Sequence, residues 1–370
     1  MSTFCILPWT HIATNASGNF RPCCNVKNGF NFPANISKND IESVWHSDYY
    51  QELRRQMLEG ERPEICERCF REEDSGVKSS RQGYNERFMF DFEPSVTPPL
   101  KDVQYVDIRL GNLCNLKCRM CNPYASNQWV DEWKLISTDN VERYKHLNWP
   151  ENDKVWENLE LLENVVEIYL TGGEPTIIKE QYKLYDKLIE RGVAKNIRLK
   201  YNTNLTNIPQ KLVDYWEHFR EIKLNASIDA YGELDRYIRY PSNWKSIDKN
   251  IRRFKQMPNV KLEVHTTIQM YNILRINELF DYCEEMNLNV FCNILNHPEH
   301  LNIRVLPEHL KENAAILFEK HYNIDIRKRE SVVDYMFAED WSHLLPEFWD
   351  FTNKIDASRN ESFKDYVDIL

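Results

Sequence analysis

The sequence predicts an α/β protein: a partial (β/α)6 TIM-like barrel, preceded by a small cysteine-rich metal-binding domain and followed by a mainly helical extension. Two observations carry this expectation. Between residues 103 and 295 six short apolar or β-branched runs recur, most of them separated by amphipathic stretches of helical period. Eight of the ten cysteines fall in two groups, one within the first 70 residues and one directly after the first of those runs. Strands alternating with helices imply parallel pairing, and in a barrel the chemistry sits at the C-terminal ends of the strands.

Composition narrows the class. With 42% hydrophobic and 12% aromatic residues, the 370-residue chain can bury a sizeable core, which excludes a disordered protein. A net charge of −10 argues against a general nucleic-acid-binding surface. No apolar run approaches the length of a membrane-spanning helix. The opening MSTFCILPWTHIATNASGNF lacks a basic stretch followed by an apolar one, so no signal peptide is expected and the expected location is cytoplasmic. Thiols stay reduced there, so clustered cysteines point to metal rather than to disulfides.

Residues 1–70 hold Cys5, Cys23, Cys24, Cys66 and Cys69, several turn signals and little regular periodicity. One helix is expected over 40–59, with Asp40 as N-cap and Gly60 ending it. A segment this short and loop-rich gains much of its stability from bound metal. Residues 71–102, polar and containing Pro94, Pro98 and Pro99, read as a linker. The runs at 103–110, 165–172, 196–203, 221–229, 260–269 and 289–295 read as strands of a barrel domain over 103–300, with helices such as 179–191 and 244–256 between them. The stretch from 122 to 164 is long for one connection and should carry helices of its own. Residues 301–370 read as mainly helical, with Trp341, Trp349 and Phe351 clustered. Cys283 and Cys292, in a helix and a strand, read as buried structural thiols.

Cys114-Asn-Leu-Lys-Cys118-Arg-Met-Cys121 directly follows the first of these strands. Three thiolates can ligate three irons of a [4Fe–4S] cluster and leave the fourth iron open to a substrate or cofactor. A zinc site completed by a distant residue is the competing reading of the spacing. Thr171-Gly172-Gly173-Glu174-Pro175 closes the second strand, where two glycines either let a ligand approach the backbone or simply make a turn. Asn202-Thr203-Asn204 and Ser227-Ile228-Asp229 end the third and fourth strands. Polar residues there line a barrel site, or else initiate turns and cap helices. Arg239 can fork onto a carboxylate, although a lone arginine is more often in a surface ion pair. His265 and Gln269 on the fifth strand face either the cavity or the core, and a satisfied core position is the simpler account of His265.

Taken in this order, the motifs over residues 103–295 resemble the radical S-adenosylmethionine (SAM) superfamily. The resemblance implies that Cys114, Cys118 and Cys121 hold a [4Fe–4S] cluster whose open iron is chelated by the amino and carboxylate groups of SAM. One electron then cleaves a C–S bond, giving methionine and a 5′-deoxyadenosyl radical. Gly172, Gly173, Glu174 and Pro175 match the family's GGEP motif, whose backbone and Glu contact the SAM amine. Asn202 and Asn204, with Ser227 and Asp229, match segments that bind the ribose and methionine portions, and Arg239 lies where a carboxylate-binding arginine is supplied. Met120 stands where many members carry an aromatic residue, and Ala230 where many carry Gly.

Cys5-Ile-Leu-Pro-Trp9, Gly18-Asn-Phe-Arg-Pro-Cys23-Cys24, Val44-Trp45-His46-Ser47 and Cys66-Glu-Arg-Cys69 recur in that order in SPASM/twitch-type auxiliary cluster domains. Those domains usually follow the barrel, and here the segment precedes it. The resemblance implies a second, auxiliary [4Fe–4S] cluster saturated by Cys5, Cys23, Cys66 and Cys69, with Cys24 as the alternative to Cys23, suited to electron transfer or a structural role. A zinc knuckle held by four cysteines is the competing reading.

The function so implied is that of a radical SAM iron–sulfur oxidoreductase whose radical abstracts hydrogen from a substrate, preferably a peptide or protein, with the auxiliary cluster accepting or returning an electron. An external electron donor such as a flavodoxin or ferredoxin is the implied partner, with no membrane and no nucleic acid. The alternatives are a radical SAM enzyme acting on a sugar or nucleotide, and a non-catalytic zinc- or cluster-binding protein.

Overall fold

The computed structural model describes residues 3–26, 30, 32–88, 93–319, 326–327 and 329–367. Its strands are β1 (His11–Thr14), β2 (Phe20–Arg21), β3 (Tyr105–Arg109), β4 (Glu167–Thr171), β5 (Arg198–Thr203), β6 (Glu221–Ser227), β7 (Val260–Ile268), β8 (Val290–Ile294) and β9 (Ile326–Arg327). They pair in the order β2-β1-β3-β4-β5-β6-β7-β8-β9. The β1–β3, β3–β4, β7–β8 and β8–β9 pairs are parallel, and only the β1–β2 hairpin among the recorded pairs is antiparallel.

The six strands expected from the sequence are β3 to β8. The other three are too short or too evenly buried to show a period. All four residues of β1 are buried, which erases the alternation a half-exposed strand would show. β1 lies parallel to β3, with His11 opposite Tyr105 and Ala13 opposite Asp107, so the cysteine-rich segment extends the edge of the sheet.

The chain divides into two compact units, one of residues 1–111, 147–200 and 211–222, the other of residues 112–146, 201–210 and 223–370. In the first unit the expected helix over 40–59 is two helices, Ile41–Trp45 and Asp48–Leu58. Asp40 caps the first, its carboxylate accepting from the Ser43 N–H at 2.9 Å. The break falls at Ser47, which takes the extended conformation of an N-cap for the second helix.

The expected linker is more structured than its composition suggests. Ser79 and Gln82 form a reciprocal capping box that starts the helix Ser80–Arg87. Further on, carbonyls of the proline-bearing stretch find buried donors. The Trp9 and Trp45 indoles donate to Ser95 and Pro98 carbonyls at 2.6 and 2.8 Å. Fully buried Arg54 donates to the carbonyls of Pro8 (2.9 Å) and Trp45 (2.8 Å) and lies over the Trp45 ring. Backbone groups that have no sheet partner are satisfied in this way.

The second unit holds β7–β9, the cysteine loop and the C-terminal helices Glu308–Glu319, Arg329–Phe337 and Leu345–Arg359. Tyr237 stacks on Phe363 at 5.6 Å, and Tyr271 meets Phe348 at 5.3 Å, which seats the last helix. Trp349 packs on Phe348, whereas Trp341 joins Arg304 and Glu339 instead of the expected aromatic cluster. Cys283 and Cys292 are fully buried. The stretch from 122 to 164 carries short 3-10 turns and the helix Asp153–Glu160. Among the described residues no helix is long and apolar enough to cross a membrane.

Candidate active site

In the second unit the CxxxCxxC loop is short, and its backbone is anchored at nearly every residue. The Lys117 and Arg119 N–H groups donate to the carbonyls of Tyr240 (2.7 Å) and Ile238 (2.8 Å). The Trp129 indole donates to the Cys118 carbonyl at 2.9 Å, and Ser126 Oγ donates to the Leu116 carbonyl at 2.6 Å. Cys114, Leu116 and Cys118 pack together, with Met120 and Cys121 against them. The three thiols are thus near neighbours on an anchored loop. A hydrogen bond from Cys121 holds the Cys118 thiol below its usual range, and Arg239 adds to the effect. Cys121, the donor, is pushed up by the same bond and by burial. The Leu116 N–H also donates to Cys114 Sγ at 3.4 Å.

Arg119 lies inside the cysteine motif, yet its side chain is 0% exposed. Its Nη2 pairs with Asp356 at 2.5 Å and Glu361 at 3.3 Å, its Nε donates to the Tyr237 carbonyl at 2.9 Å, and its guanidinium lies 3.6 Å from the Tyr237 ring centre. Arg359, at the end of the last helix, donates to the Lys117 carbonyl at 2.9 Å and pairs with Glu132. The C-terminal helix therefore grips the loop from behind, a relation no local pattern in the sequence announces.

The motif residues of this unit are largely tied to one another. Asn204 Nδ2 donates to Asn115 Oδ1 at 2.9 Å, and Asn115 Nδ2 donates to Thr206 Oγ1 at 2.7 Å, pinning the cysteine loop to the end of β5. Asn225 Nδ2 donates to Asn202 Oδ1 at 2.8 Å. Fully buried Asp229 pairs with Arg239 Nε at 2.8 Å and accepts from the Thr267 N–H at 2.7 Å, while Arg239 Nη1 reaches Cys118 Sγ at 4.0 Å. Arg239 thus places a positive charge beside the loop, with Asp229 fixing it. Ser227 is half-buried at the end of β6. His265 lies near Glu263 (3.6 Å) and against Phe291, and Gln269 is buried with its Oε1 unpaired.

The glycine motif belongs to the first unit. Gly172 has φ +86°, and a Cβ there would stand 2.7 Å from the Gly111 carbonyl oxygen, so packing of the two backbones requires glycine. The buried Glu174 carboxylate accepts from Thr176 Oγ1 at 2.6 Å and caps the turn Pro175–Ile177.

The same unit gathers the N-terminal thiols. Cys5, Cys23, Cys24, Cys66 and Cys69 line one pocket together with Leu7, Asn25, Ile65, Ser80, Arg81 and Tyr84. Burial pushes Cys5 and Cys66 up to about 12, reinforced by the neighbouring thiols. Cys24 differs from Cys23: its main charged neighbours are Asp107, Arg109 and Arg68. Among the described residues no three His, Cys, Asp or Glu side chains converge as on a single ion.

On β3, Asp107 is buried and its Oδ1 has no partner. Burial raises its carboxyl to about 6, against the lowering pull of Arg109, Lys200 and Arg21, with Glu167 raising it further. A carboxyl raised on folding binds more protons in the folded state between its two values, so stability falls as pH rises from about 4 to about 6. Asp107→Asn should therefore stabilise the protein by about 1–3 kcal/mol at pH 8. Urea unfolding at pH 8 and pH 5 checks this, because the gain should shrink at the lower pH.

Comparison with known proteins gives two family matches. Residues 108–279 match the family model of the radical SAM superfamily, and residues 5–70 match that of SPASM, an iron–sulfur cluster-binding domain. Together the two matches span more than half of the chain. Residues 108–279 form a radical SAM domain. A SPASM segment precedes it in the chain.

The curated relatives are distant. A GTP 3′,8-cyclase from Helicobacter pylori (strain J99) is 22% identical over 226 residues, covering 60% of this chain and 64% of that protein. The chain thus spans just under two thirds of that relative's length. A GTP 3′,8-cyclase from Mannheimia succiniciproducens is 20% identical over 247 residues, 64% of this chain and 69% of that one. Among solved structures, anSMEcpe with bound AdoMet and the Cp18Cys peptide aligns with TM-score 0.43 and 14% identity over 64% of this chain and 67% of that one. Streptococcus suis SuiB bound to S-adenosylmethionine aligns with TM-score 0.39 and 15% identity over 75% and 63%.

The cofactors that go with these two domains are SAM and a [4Fe–4S] cluster with an open iron for the radical SAM domain, and an iron–sulfur cluster for the SPASM segment. The residues fit them. The cysteine loop offers three packed thiols, and the N-terminal pocket offers a thiol-lined volume. Sequence reasoning missed Arg81, Tyr84 and Glu73 around that pocket and the Arg119 anchor behind the loop. The Ser79-x-x-Gln82 pattern was the one available signal, since it marks the start of the helix that carries Arg81 and Tyr84.

Proposed function

We propose that Cys114, Cys118 and Cys121 hold the catalytic [4Fe–4S] cluster, and that Cys5, Cys23, Cys66 and Cys69 hold an auxiliary one. The packing of three thiols on the anchored loop, with Arg239 beside Cys118, carries this reading. The bound cofactors supply one-electron cleavage of SAM to methionine and a 5′-deoxyadenosyl radical, which takes hydrogen from the substrate. The protein's part is to fix geometry. Arg119 and Asn115 hold the loop, Asp229 orients Arg239, and Gly172 lets the turn of the GGEP motif close on its neighbour. An external donor, a flavodoxin or ferredoxin, supplies the electron.

The substrate we favour is a peptide or protein. Support comes from the resemblance of residues 5–70 to SPASM domains, whose enzymes often modify peptides or mature proteins. A nucleotide is the second reading, favoured by the match to GTP 3′,8-cyclases.

Anaerobic reconstitution tests the proposal. About seven to eight irons per chain and 5′-deoxyadenosine formed on reduction with SAM are expected. Two zincs per chain and no cleavage would overturn it. Cys69→Ala should lose about four irons, keep a measurable part of SAM cleavage and impair product formation. Consumption of GTP during turnover would select the nucleotide reading over the peptide.

A further inference from the structure

We infer that Arg81, held by Glu73, raises the reduction potential of the cluster at Cys5, Cys23, Cys66 and Cys69; the inference rests on those four cysteines being the ligands, as proposed above. Arg81 lies outside the matched SPASM segment, on the helix Ser80–Arg87 that borders the thiol pocket. Its side chain is 6% exposed. The position is built rather than incidental. Nε and Nη2 fork onto the two Glu73 oxygens at 2.9 and 2.5 Å, and Nη1 donates to the Phe4 carbonyl at 2.5 Å, next in sequence to Cys5. Glu73 also accepts from Ser79 Oγ, so the carboxylate that steers Arg81 is itself fixed.

Charge and hydrogen bonding act together at this pocket. Arg81 lines the same pocket as Cys5, Cys23, Cys66 and Cys69, which places its charge beside the sulfurs. Backbone N–H groups reach the sulfurs as well: Leu7 to Cys5, Asn25 to Cys23 and Arg81 itself to Cys69. The last comes from the first turn of a helix, where N–H groups are unpaired and the dipole is positive. A cluster ligated by four thiolates gains negative charge on reduction. Nearby positive charge and N–H···S bonds stabilise that reduced form and move the potential upward. Glu73 offsets part of the effect, so the pair acts as a setting with two opposed contributions.

The opposition gives a test by sign. In the reconstituted full-length enzyme, potentiometric titration followed by electron paramagnetic resonance reads both clusters, and SAM perturbs only the signal of the open-iron one. Arg81→Met should disfavour reduction of the other cluster at least tenfold, which for one electron is a fall of about 59 mV. Glu73→Gln should shift it upward, and Arg81→Lys should stay near the wild-type value. Unchanged potentials in variants that keep their iron, or shifts of the same sign in Arg81→Met and Glu73→Gln, would overturn the inference. If Arg81→Met fails to fold, the upward shift in Glu73→Gln alone decides. A wild-type protein with zinc at these cysteines would instead overturn the ligand assignment, and the inference with it.

Discussion

Cys118→Ala should abolish formation of 5′-deoxyadenosine from SAM, a loss of at least about 10³-fold. Cys118 is the middle thiol of the three, accepts from Cys121, and has Arg239 at 4.0 Å. Its removal takes one corner from the cluster and leaves the paired Arg239 and Asp229 facing an empty position. Iron analysis separates this from unfolding. The variant should keep about four irons, those of the N-terminal pocket, and a normal thermal transition. Retained SAM cleavage in a folded Cys118→Ala protein would contradict the assignment of this loop as the catalytic centre.

Arg119→Met should have the second largest effect, and by a different route. Arg119 touches no proposed cofactor position, yet it faces Asp356 and Glu361 in a setting where its own side chain is fully buried. Removing the cation leaves Asp356 without its charge partner, while Glu361 keeps Arg236, a change worth about 3–5 kcal/mol of stability. The cost should fall on the join between the cysteine loop and the last helix. Hydrogen exchange should accelerate over residues 112–121 and 345–361 while the protein still binds iron at its N-terminal pocket. The double variant Arg119→Met/Asp356→Asn should recover part of the loss, because it removes the uncompensated Asp356 charge along with its partner. A uniform loss of protection across the chain would mean that the pair serves general stability only.

How much of this was legible in the sequence depends on range. The strands β3–β8 were readable because apolar runs between helices are local patterns. The cysteine spacing and the glycine motif were readable for the same reason, and Gly172 shows the physical need behind the motif: a side chain there would meet the Gly111 carbonyl. Asp40 as a helix cap was also local. What escaped was set by partners far away in the chain. Arg119 reads as an exposed charge between two cysteines, and its burial is decided by Asp356, 237 residues later. β1 escaped because four consecutive buried residues carry no alternation, and their role depends on β3, which lies more than 90 residues onward. Arg81 escaped because the stretch around it is polar enough to pass for a linker, although its capping box stood in plain sight.

The pairing of His11 and Ala13 with Tyr105 and Asp107 gives the cysteine segment a second duty. A strand at the rim of a sheet is a template for foreign chains, and here the rim of β3 is already occupied by β1. The metal-binding stretch is thus stitched into the barrel's own hydrogen-bond ladder. It cannot be moved or exchanged as a cassette without unzipping the strand that the Cys114–Cys121 loop follows.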